Sequence, residues 1–368
     1  MRILFLDQFS ELGGAQQCLI DLAAGLNEDR LYAAVPGTGP LADALRARGV
    51  EVYELPTLAY PHGHKTLLDF LRFPRDTKRL TSRIRSIVQS QAIDLVYVNG
   101  PRLLPAASMA ASNLVFHSHS YLDKRYASAS VRWCLRRRNA KVIASSRFVA
   151  KALPSENLRV IYNGVREIPF RPPSRSNGRP YRIGTLGRIE PEKGQMDFVQ
   201  AARVLAERGL NAEYRIHGAP LFSDSTYLAR VRELSAGLPI TFPGWSNDVS
   251  KVLAELDVLV VPSTWIDANP RVIPEAFSAG VPVVAYPAGG IPELIEDGVT
   301  GILTRSLPDA IERLLANPSL MSAIARNARK VWEERFTVPR YVQEVREYLA
   351  TTQPENKTRQ QWRAATLS

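Results

Sequence analysis

Short apolar runs alternate with segments of helical hydrophobic spacing along the whole chain. In the first half the apolar runs predict strands at Ile3–Leu6, Leu31–Val35, Val50–Leu55, Leu95–Val98, Leu114–Phe116 and Val142–Ala144. In the second half they predict strands at Tyr181–Leu186, Tyr214–Ile216, Val258–Val261, Val281–Ala285 and Ile302–Leu303. Continuous apolar strands separated by helices are typical of parallel sheets that are covered on both faces. The pattern therefore predicts an α/β protein with two doubly wound sheets in tandem.

A stretch without apolar periodicity, rich in proline, separates the two halves and has the composition of a linker. We therefore predict an N-terminal domain at residues 1–168, a linker at 169–180 and a second domain at 181–335, with a ligand cleft between the domains. A C-terminal helix at 336–352 is expected to pack back on the N-terminal domain. A mobile tail is expected at 353–368.

Length and composition limit the class of protein. The chain has 368 residues, of which 45% are hydrophobic and 23% charged, as in ordinary globular domains and unlike disordered, collagen-like or coiled-coil chains. No apolar run approaches the ~20 residues that a membrane-spanning helix needs. The N-terminal apolar run reaches Asp7 too early for a signal sequence, so a cytoplasmic location is expected. Cys18 and Cys134 are too few for a thiolate metal cage and are expected to be buried free thiols.

Positive charge is concentrated in the first half of the chain. The net charge is +11, and residues 1–165 hold 22 basic and 13 acidic side chains. The densest basic patch consists of Arg132, Arg136, Arg137, Arg138 and Lys141. Such a patch fits an anionic membrane surface, with Tyr121, Tyr126 and Trp133 beside it. A basic groove for an acidic acceptor and a solvated helix face are the alternatives. We expect no nucleic-acid partner because the chain has no nucleic-acid-binding motif.

A glycine pair follows the first predicted strand. Gly13 and Gly14 stand just before a helical pattern, where glycine allows an anion to approach the free N–H groups of a helix N-terminus. The pair lacks the G-x-G-x-x-G spacing of a dinucleotide site. A tight turn without a ligand is therefore an equally open interpretation.

The second half opens with a sharper pattern. The strand predicted there leads into Gly187 and Arg188, and a short loop then reaches Lys193 before the next helix. Arginine binds phosphate oxygens in a bidentate manner and lysine adds a mobile point charge. The segment therefore predicts a pyrophosphate cradle at the carboxyl end of a strand. The alternative is that the two cations only pair with Glu190 and Glu192.

Two carboxylates stand eight residues apart after the predicted strand Val258–Val261. Asp267 lies in a polar loop and Glu275 in the first turns of the next helix. Carboxylates accept hydrogen bonds from sugar hydroxyls, and the N–H groups near Arg271 and Val272 would face a phosphate. For Glu275 the alternative is charge compensation at a helix N-terminus.

Two histidines follow the strand Leu114–Phe116. Side chains two residues apart on a strand face the same way, so His117 and His119 are both candidates for a cleft. His119 is favoured because it lies further along the loop, and a hydrogen-bonded structural histidine is the alternative for each. The sequence has no Asp-x-Asp, His-x3-His or cysteine-pair motif, so no metal site is predicted.

Three motifs carry a family resemblance: Gly-Arg-x4-Lys-Gly at Gly187–Gly194, an acid-x7-Glu segment at Asp267–Glu275, and Gly-Val-Pro-Val-Val-Ala at Gly280–Ala285. Together they resemble the retaining nucleotide-sugar glycosyltransferases of the GT-B fold, family 4. The resemblance extends over nearly the whole chain to about residue 350. It implies the GT-B architecture, in which two Rossmann-like doubly wound domains face a central cleft. The N-terminal domain would bind the acceptor and the C-terminal domain the donor.

The resemblance also implies roles for single residues. Arg188 and Lys193 would bind the donor diphosphate. Asp267, one methylene shorter than the family's glutamate, and His119 would contact the donor sugar, and Glu275 would hold the ribose. His119, Asp267, Arg188 and Lys193 would thus be the catalytic set. The other positions expected to border the donor are Gly13, Gly14, Gly187, Trp245, Arg271 and Val272.

The implied activity is transfer of a hexosyl group from a nucleoside-diphosphate sugar to an acceptor hydroxyl, with retention of the anomeric configuration. No metal or other cofactor is expected, because arginine, lysine and helix N-termini replace the cation on the diphosphate. The implied acceptor is a glycan or lipid-linked molecule of cell-surface polysaccharide or glycolipid biosynthesis. The implied location is cytoplasmic, with peripheral contact at the inner membrane face.

Two other functions fit the same scaffold. A sugar-nucleotide epimerase or hydrolase would need an acid and a base around the ring carbons of the sugar, and the sequence does not show such a pair. A non-catalytic sugar-nucleotide- or glycan-binding protein is the second alternative. The intact set of donor-site side chains argues against it.

Overall fold

The structure is a computed structural model, and it describes residues 1–56, 67–153, 157–173, 178–221 and 225–351. The predicted tail at 353–368 lies outside the described residues, as does the middle of the predicted linker at 174–177.

The N-terminal half forms one parallel sheet with helices on both faces. Its strands are β1 (Arg2–Asp7), β2 (Arg30–Pro36), β3 (Glu51–Leu55), β4 (Leu95–Asn99), β5 (Leu114–Ser118), β6 (Lys141–Ala144) and β7 (Leu158–Val160). Its helices are α1 (Gly14–Gly25), α2 (Pro40–Arg46), α3 (Leu67–Ser90), α4 (Leu104–Ala110), α5 (Arg125–Arg138) and α6 (Arg147–Ala150). The strand order is β3-β2-β1-β4-β5-β6-β7. The order therefore reverses between β1 and β4, the place where doubly wound sheets bind ligands.

The C-terminal half repeats this plan with a second parallel sheet. Its strands are β8 (Tyr181–Leu186), β9 (Ala212–His217), β10 (Ile240–Gly244), β11 (Val258–Val261), β12 (Val283–Ala285) and β13 (Ile302–Leu303). Its helices are α7 (Gln195–Glu207), α8 (Ser225–Leu234), α9 (Val249–Ala254), α10 (Val272–Ala279), α11 (Leu307–Leu315) and α12 (Pro318–Arg335). The strand order is β10-β9-β8-β11-β12-β13, with the reversal between β8 and β11.

Each sheet separates two apolar cores, which explains the continuous apolar strands. In β1, Leu4 and Leu6 join the cluster on one face, and Ile3 and Phe5 join the cluster on the other. Because side chains alternate between the faces of a strand, a strand covered on both sides must be apolar at every position. All four side chains are fully buried. The predicted fold class, two Rossmann-like doubly wound α/β domains of GT-B architecture, is confirmed.

A final helix, α13 (Val338–Ala350), returns from the C-terminal half to the N-terminal half. The chain crosses beside the first connection, where Val165 N–H donates to the Phe336 carbonyl over 2.8 Å. Helix α13 packs against α1 through Gly25, where an added Cβ would lie 2.5 Å from a methyl group of Val342. Apolar residues of α13 thus complete one core of the N-terminal sheet.

No helix in the described part of the chain is long and apolar enough to cross a membrane. The carboxyl ends of β1, β4, β5, β8 and β11 lead into the loops that border a cavity between the two sheets.

Candidate functional site

The cavity between the two sheets has a volume of about 380 Å³. Of the eleven residues predicted at the catalytic and donor sites, seven line it: Gly13, Gly14, His119, Arg188, Lys193, Asp267 and Arg271. The other four lie outside its lining: Gly187, Trp245, Val272 and Glu275. The structure therefore brings together residues that are separated by up to about 260 positions in the sequence.

Lys193 and Asp267 form a hydrogen-bonded ion pair at the cavity wall. Lys193 Nζ donates to Asp267 Oδ2 over 2.7 Å, and Ser263 Oγ donates to the same oxygen over 2.6 Å. Gly194 makes this approach possible, because its φ is +68° and an added Cβ would lie 1.9 Å from the Pro262 carbonyl oxygen. The partner of Lys193 is thus Asp267, whereas the alternative considered from the sequence was a nearby glutamate.

Arg188 follows β8 and borders the same cavity. Its guanidinium lies 2.7 Å from Glu190 Oε1, and its side chain is 36% exposed. Burial raises the pKa of Glu190, while the nearby cations lower it. The local pairing that the sequence left open therefore exists for Arg188, at the same time as this side chain lines the cavity.

Arg271, directly before α10, has a long side chain that reaches α1 of the other half. Its Nη1 atom lies 2.8 Å from the Gly164 carbonyl oxygen and 3.1 Å from Cys18 Sγ, and its Nη2 atom lies 3.2 Å from Asp21 Oδ2. Its side chain is 10% exposed and that of Asp21 is fully buried. Asp21 also accepts from Arg166 Nε over 3.0 Å. The sequence analysis assigned Arg271 only a backbone N–H group, since the side chains that its guanidinium contacts, Cys18 and Asp21, are about 250 positions away.

Glu275 lies behind Arg271 and not in the cavity lining. Its Oε1 atom is 3.7 Å from Arg271 Nε, and its side chain is 16% exposed. Burial raises the pKa of Glu275, and Arg271 opposes this rise. Val272 is the first residue of α10, so its N–H group belongs to the helix start that adjoins the cavity.

Trp245 stands after β10 on an exposed surface. Its Nε1 atom donates to Asn247 Oδ1 over 3.1 Å. Gly187 directly follows the strand β8 and precedes Arg188, with a φ of +148°. Neither contributes to the cavity lining.

The two histidines differ in burial and in partners. His117 is fully buried, and its Nδ1 atom lies 2.6 Å from the Tyr97 hydroxyl. This is the hydrogen-bonded structural role that the sequence left open. His119 lines the cavity, and its Nε2 atom lies 2.8 Å from Asn99 Oδ1. Burial, followed by the charge of Arg271, lowers the pKa of His119 to about 3, so the ring is neutral at physiological pH.

Sequence reasoning missed two buried polar residues next to His119, of which Asn99 also lines the cavity. Asp7 ends β1 and Asn99 ends β4, and Asn99 Nδ2 donates to Asp7 Oδ2 over 2.6 Å. A signal for them was available in the sequence, because each is a polar residue directly after an apolar run. The two strands, β1 and β4, flank the reversal of strand order, where doubly wound sheets bind ligands. Within the described residues, no group of three or more His, Cys, Asp or Glu side chains is placed to hold a metal ion.

Models of two protein families match the chain. The model described as glycosyl transferases group 1 matches residues 167–331. The model described as Glycosyltransferase Family 4 matches residues 12–167. The two matches adjoin at the connection between the sheets and together cover most of the chain.

Individual proteins show the same similarity. Alpha-D-kanosaminyltransferase of Streptomyces kanamyceticus is 31% identical over 42% of the chain, and the match spans 41% of that protein. The putative glycosyltransferase YtcC of Bacillus subtilis (strain 168) is 25% identical, with 78% of the chain and 80% of that protein covered. Among solved structures, Anabaena Alr3699/HepE in complex with UDP-glucose has a TM-score of 0.82 and 27% identity, with 95% of the chain and 100% of HepE covered.

Proposed function

The chain belongs to the family 4 glycosyltransferases of the GT-B fold, and from this premise we propose that it transfers a hexosyl group from a uridine-diphosphate sugar to an acceptor hydroxyl with retention of configuration. The observation that carries the proposal is the grouping of Arg188, Lys193 and Asp267 around one cavity with His119. The complex of HepE with UDP-glucose supports the choice of uridine as the base.

The cations in the cavity suit the stabilisation of a departing diphosphate. Arg188 and Lys193 supply positive charge from the C-terminal half. In the N-terminal half, Gly13 and Gly14 let an anion approach the free N–H groups at the start of α1. Preorganised charges of this kind are worth most where charge develops in the transition state. They replace a metal ion in this proposal, and the enzyme is expected to work without one.

Asp267 has a place at the donor sugar. Its hydrogen bonds with Lys193 and Ser263 both use Oδ2. In the described structure Oδ1 is therefore the oxygen that suits a sugar hydroxyl donor. The closed cleft between the two domains would also exclude water, which otherwise hydrolyses the donor.

The test is acceptor-dependent release of UDP in a panel of UDP-sugars and acceptors, repeated in the presence of a metal chelator. Transfer predicts UDP release that needs the acceptor and persists with chelator, and an NMR coupling constant of the product that matches the donor's anomeric configuration. UDP release without acceptor would indicate a hydrolase, conversion of the donor sugar an epimerase, and binding without turnover a non-catalytic protein. Any of these three results would overturn the proposal.

We propose further that the acceptor is a glycan or lipid-linked molecule of cell-surface polysaccharide or glycolipid biosynthesis, reached by a cytoplasmic enzyme at the anionic inner membrane face. The exposed face of α5, called the α5 surface, is formed by Arg125, Arg132, Trp133, Arg136 and Arg137. Trp133 is 53% exposed, a position that suits the headgroup level of a membrane. Asp123 borders both this surface and the catalytic cavity, so a docked acceptor would lie next to the cleft.

A further inference from the structure

A buried hydrogen-bonded chain runs from Asp7 to His119. Asp7 on β1 and Asn99 on β4 are register partners, so their side chains lie side by side at the strand ends. Asp7 is fully buried and Asn99 is nearly so. His119 follows β5, the neighbour of β4 in the sheet, and reaches Asn99 from the cavity.

The direction of each hydrogen bond follows from the chemistry of Asp7. An ionised carboxylate only accepts, so the groups bonded to Asp7 must donate. Asn99 Nδ2 donates to Asp7 Oδ2 over 2.6 Å, and Gln16 Nε2 lies 3.0 and 3.1 Å from the two carboxylate oxygens. With its nitrogen used in this way, Asn99 presents Oδ1, which accepts, to His119 Nε2. The hydrogen of the neutral His119 ring is therefore on Nε2, and Nδ1 carries a lone pair.

His119 Nδ1 is buried and has no hydrogen-bond partner among the described residues. A buried acceptor without a donor is costly, so such an atom in a ligand cavity favours a ligand that donates. The groups that face the His119 ring are the His117 ring, 3.8 Å away between centroids, and the Arg271 guanidinium, whose charge disfavours protonation of His119. His117 is held in turn by Tyr97, so neither neighbour offers His119 Nδ1 a carboxylate.

We propose that Asp7 and Asn99 are positioning residues that fix the Nε2–H tautomer of His119, so that His119 Nδ1 accepts a hydrogen bond from a hydroxyl of the bound sugar. The sugar contact rests on the proposed function, whereas the tautomer does not. Asp7 makes this arrangement sensitive to pH. Burial raises the pKa of Asp7 to about 6, although its bonds with Asn99 and Gln16 oppose the rise. Protonation turns Asp7 Oδ2 from an acceptor into an O–H donor. This favours a turned Asn99 amide, whose Oδ1 accepts from Asp7 and whose nitrogen faces His119.

The first test observes the tautomer directly in the full chain without substrate. Histidine ¹⁵N resonances of labelled protein distinguish Nε2–H, Nδ1–H and doubly protonated rings, and a His119→Gln variant assigns the signals. At pH 7.5 we expect His119 as Nε2–H, and we expect Asp7→Asn to change that tautomer population. A His119 ring that is Nδ1–H or imidazolium in the native protein, or a tautomer unaltered by Asp7→Asn, would overturn the proposal even if the enzyme transfers sugars.

The second test uses activity. The kcat/KM of the native enzyme should fall as pH decreases through about 6. Asp7→Asn should abolish this acid limb and lower kcat/KM by about 10–100-fold, by analogy with the loss of a residue that orients a metal-ligating histidine. In a series of deoxy-sugar donors, one analogue should be poor for the native enzyme but lose this handicap in His119→Ala. An Asp7→Asn enzyme that keeps the native acid limb would contradict the proposal. So would a His119→Ala enzyme that is impaired by each deoxy donor to the same degree as the native enzyme.

A second variant guards against misfolding of Asp7→Asn. Gln16→Ala removes one donor from the Asp7 carboxylate, which should raise the pKa of Asp7 and move the acid limb to higher pH. An unchanged or lowered acid limb in folded Gln16→Ala would contradict the role of Asp7.

Discussion

Both cations expected at the diphosphate already have a carboxylate neighbour, Glu190 for Arg188 and Asp267 for Lys193. Arg188→Ala or Lys193→Ala should each lose ~2–4 kcal/mol of transition-state stabilisation, by analogy with the removal of one oxyanion donor. The fold should remain, since both side chains border an open cavity. Steady-state kinetics measures the loss, and Arg208→Ala, an exposed arginine paired with Asp309, serves as the matched control. Near-native turnover of either cleft variant would contradict the assignment.

The two acids are expected to affect different kinetic constants. Asp267→Asn should depress kcat more than it weakens donor binding, because Asp267 orients Lys193 beside the reacting sugar. Glu275→Gln should mainly weaken donor binding, because a ribose contact is made equally before and at the transition state. Kinetics together with donor titration separates the two effects. The reverse pattern would mean that the sugar and ribose ends of the site are exchanged.

Asp7 should also affect how the unfolding free energy depends on pH. Its pKa is raised from 3.8 to about 6 in the folded protein, so the folded state binds the extra proton and loses stability as pH rises through about 6. Between pH 5 and pH 8 the native protein should lose about 1.4 kcal/mol more of its unfolding free energy than Asp7→Asn does. Urea unfolding of both proteins at the two pH values measures this difference. A difference that is absent or of opposite sign would show that Asp7 is not held at a raised pKa.

The sequence predicts some residues of the site but not all of their contacts. Arg188, Lys193 and Asp267 were found because strand ends and motif spacing point to the same edge of a sheet. The ion pair of Arg271 with Asp21 was not found, because it depends on how two separately folded sheets meet, and no local pattern encodes that.

At the level of elements, Arg271 holds the starts of α1 and α10 together. An added Cβ on Gly14 would lie 3.5 Å from Arg271 Cδ, so the arginine stem passes beside the glycine turn before its guanidinium reaches Asp21. The two helix N-termini that would face the diphosphate are thereby fixed relative to each other. Loss of one partner leaves the other with a weaker counter-ion, Arg166 for Asp21 or Glu275 for Arg271. The cost should therefore be below the about 3–5 kcal/mol of a buried charge left unpaired.

A double-mutant cycle tests this coupling. Asp21→Asn and Arg271→Met should each weaken donor binding. The double variant should be less impaired than the sum of the two, because both members of the ion pair are then absent. Isothermal titration with UDP and thermal unfolding give the two coupling energies. Arg166→Met, which removes the other arginine of Asp21, is the control for a purely structural effect. Strict additivity of Asp21→Asn and Arg271→Met in UDP binding would exclude the coupling.

The strands show which elements the apolar pattern detects. All central strands were predicted, because burial on both faces makes them continuously apolar. The unpredicted strands, β7 and β10, lie at the edges of their sheets. β7 is only half-buried and β10 alternates half-buried and exposed positions, so neither has the apolar run on which the prediction depends.

For the whole molecule, the basic first half predicts an encounter with an anionic surface. Three residues in or beside the predicted patch are already engaged in other contacts. Arg138 donates to the Ser108 carbonyl, and Lys141 contacts Thr351. Tyr121 lines the cavity and stacks on Phe148, with 4.6 Å between the ring centroids. The arginines and Trp133 of the α5 surface remain for docking, at about 1 kcal/mol per basic residue near an anionic membrane.

Vesicle sedimentation tests the membrane contact. The protein should sediment with anionic vesicles at low salt, much less at high salt, and not with neutral vesicles. Arg136→Glu with Arg137→Glu should weaken the binding, whereas Arg208→Glu in the other half should have a smaller effect. Protein that stays in the supernatant with anionic vesicles at low salt would exclude docking and assign the charge to a groove for an acidic acceptor.

The return of α13 to the first sheet has a consequence for biosynthesis. Tyr341, Val342, Val345 and Leu349 belong to a core whose other members lie before residue 162. The half that leaves the ribosome first therefore cannot finish its core until almost the last helix has been made, and the C-terminal half, although later, can close earlier. Folding then ends with the closure of a contact between the two extremes of the chain, which is slow because its loop is long. During this interval a nascent first half would leave the face of α1 around Gly25, which Val342 covers in the finished fold, exposed to water.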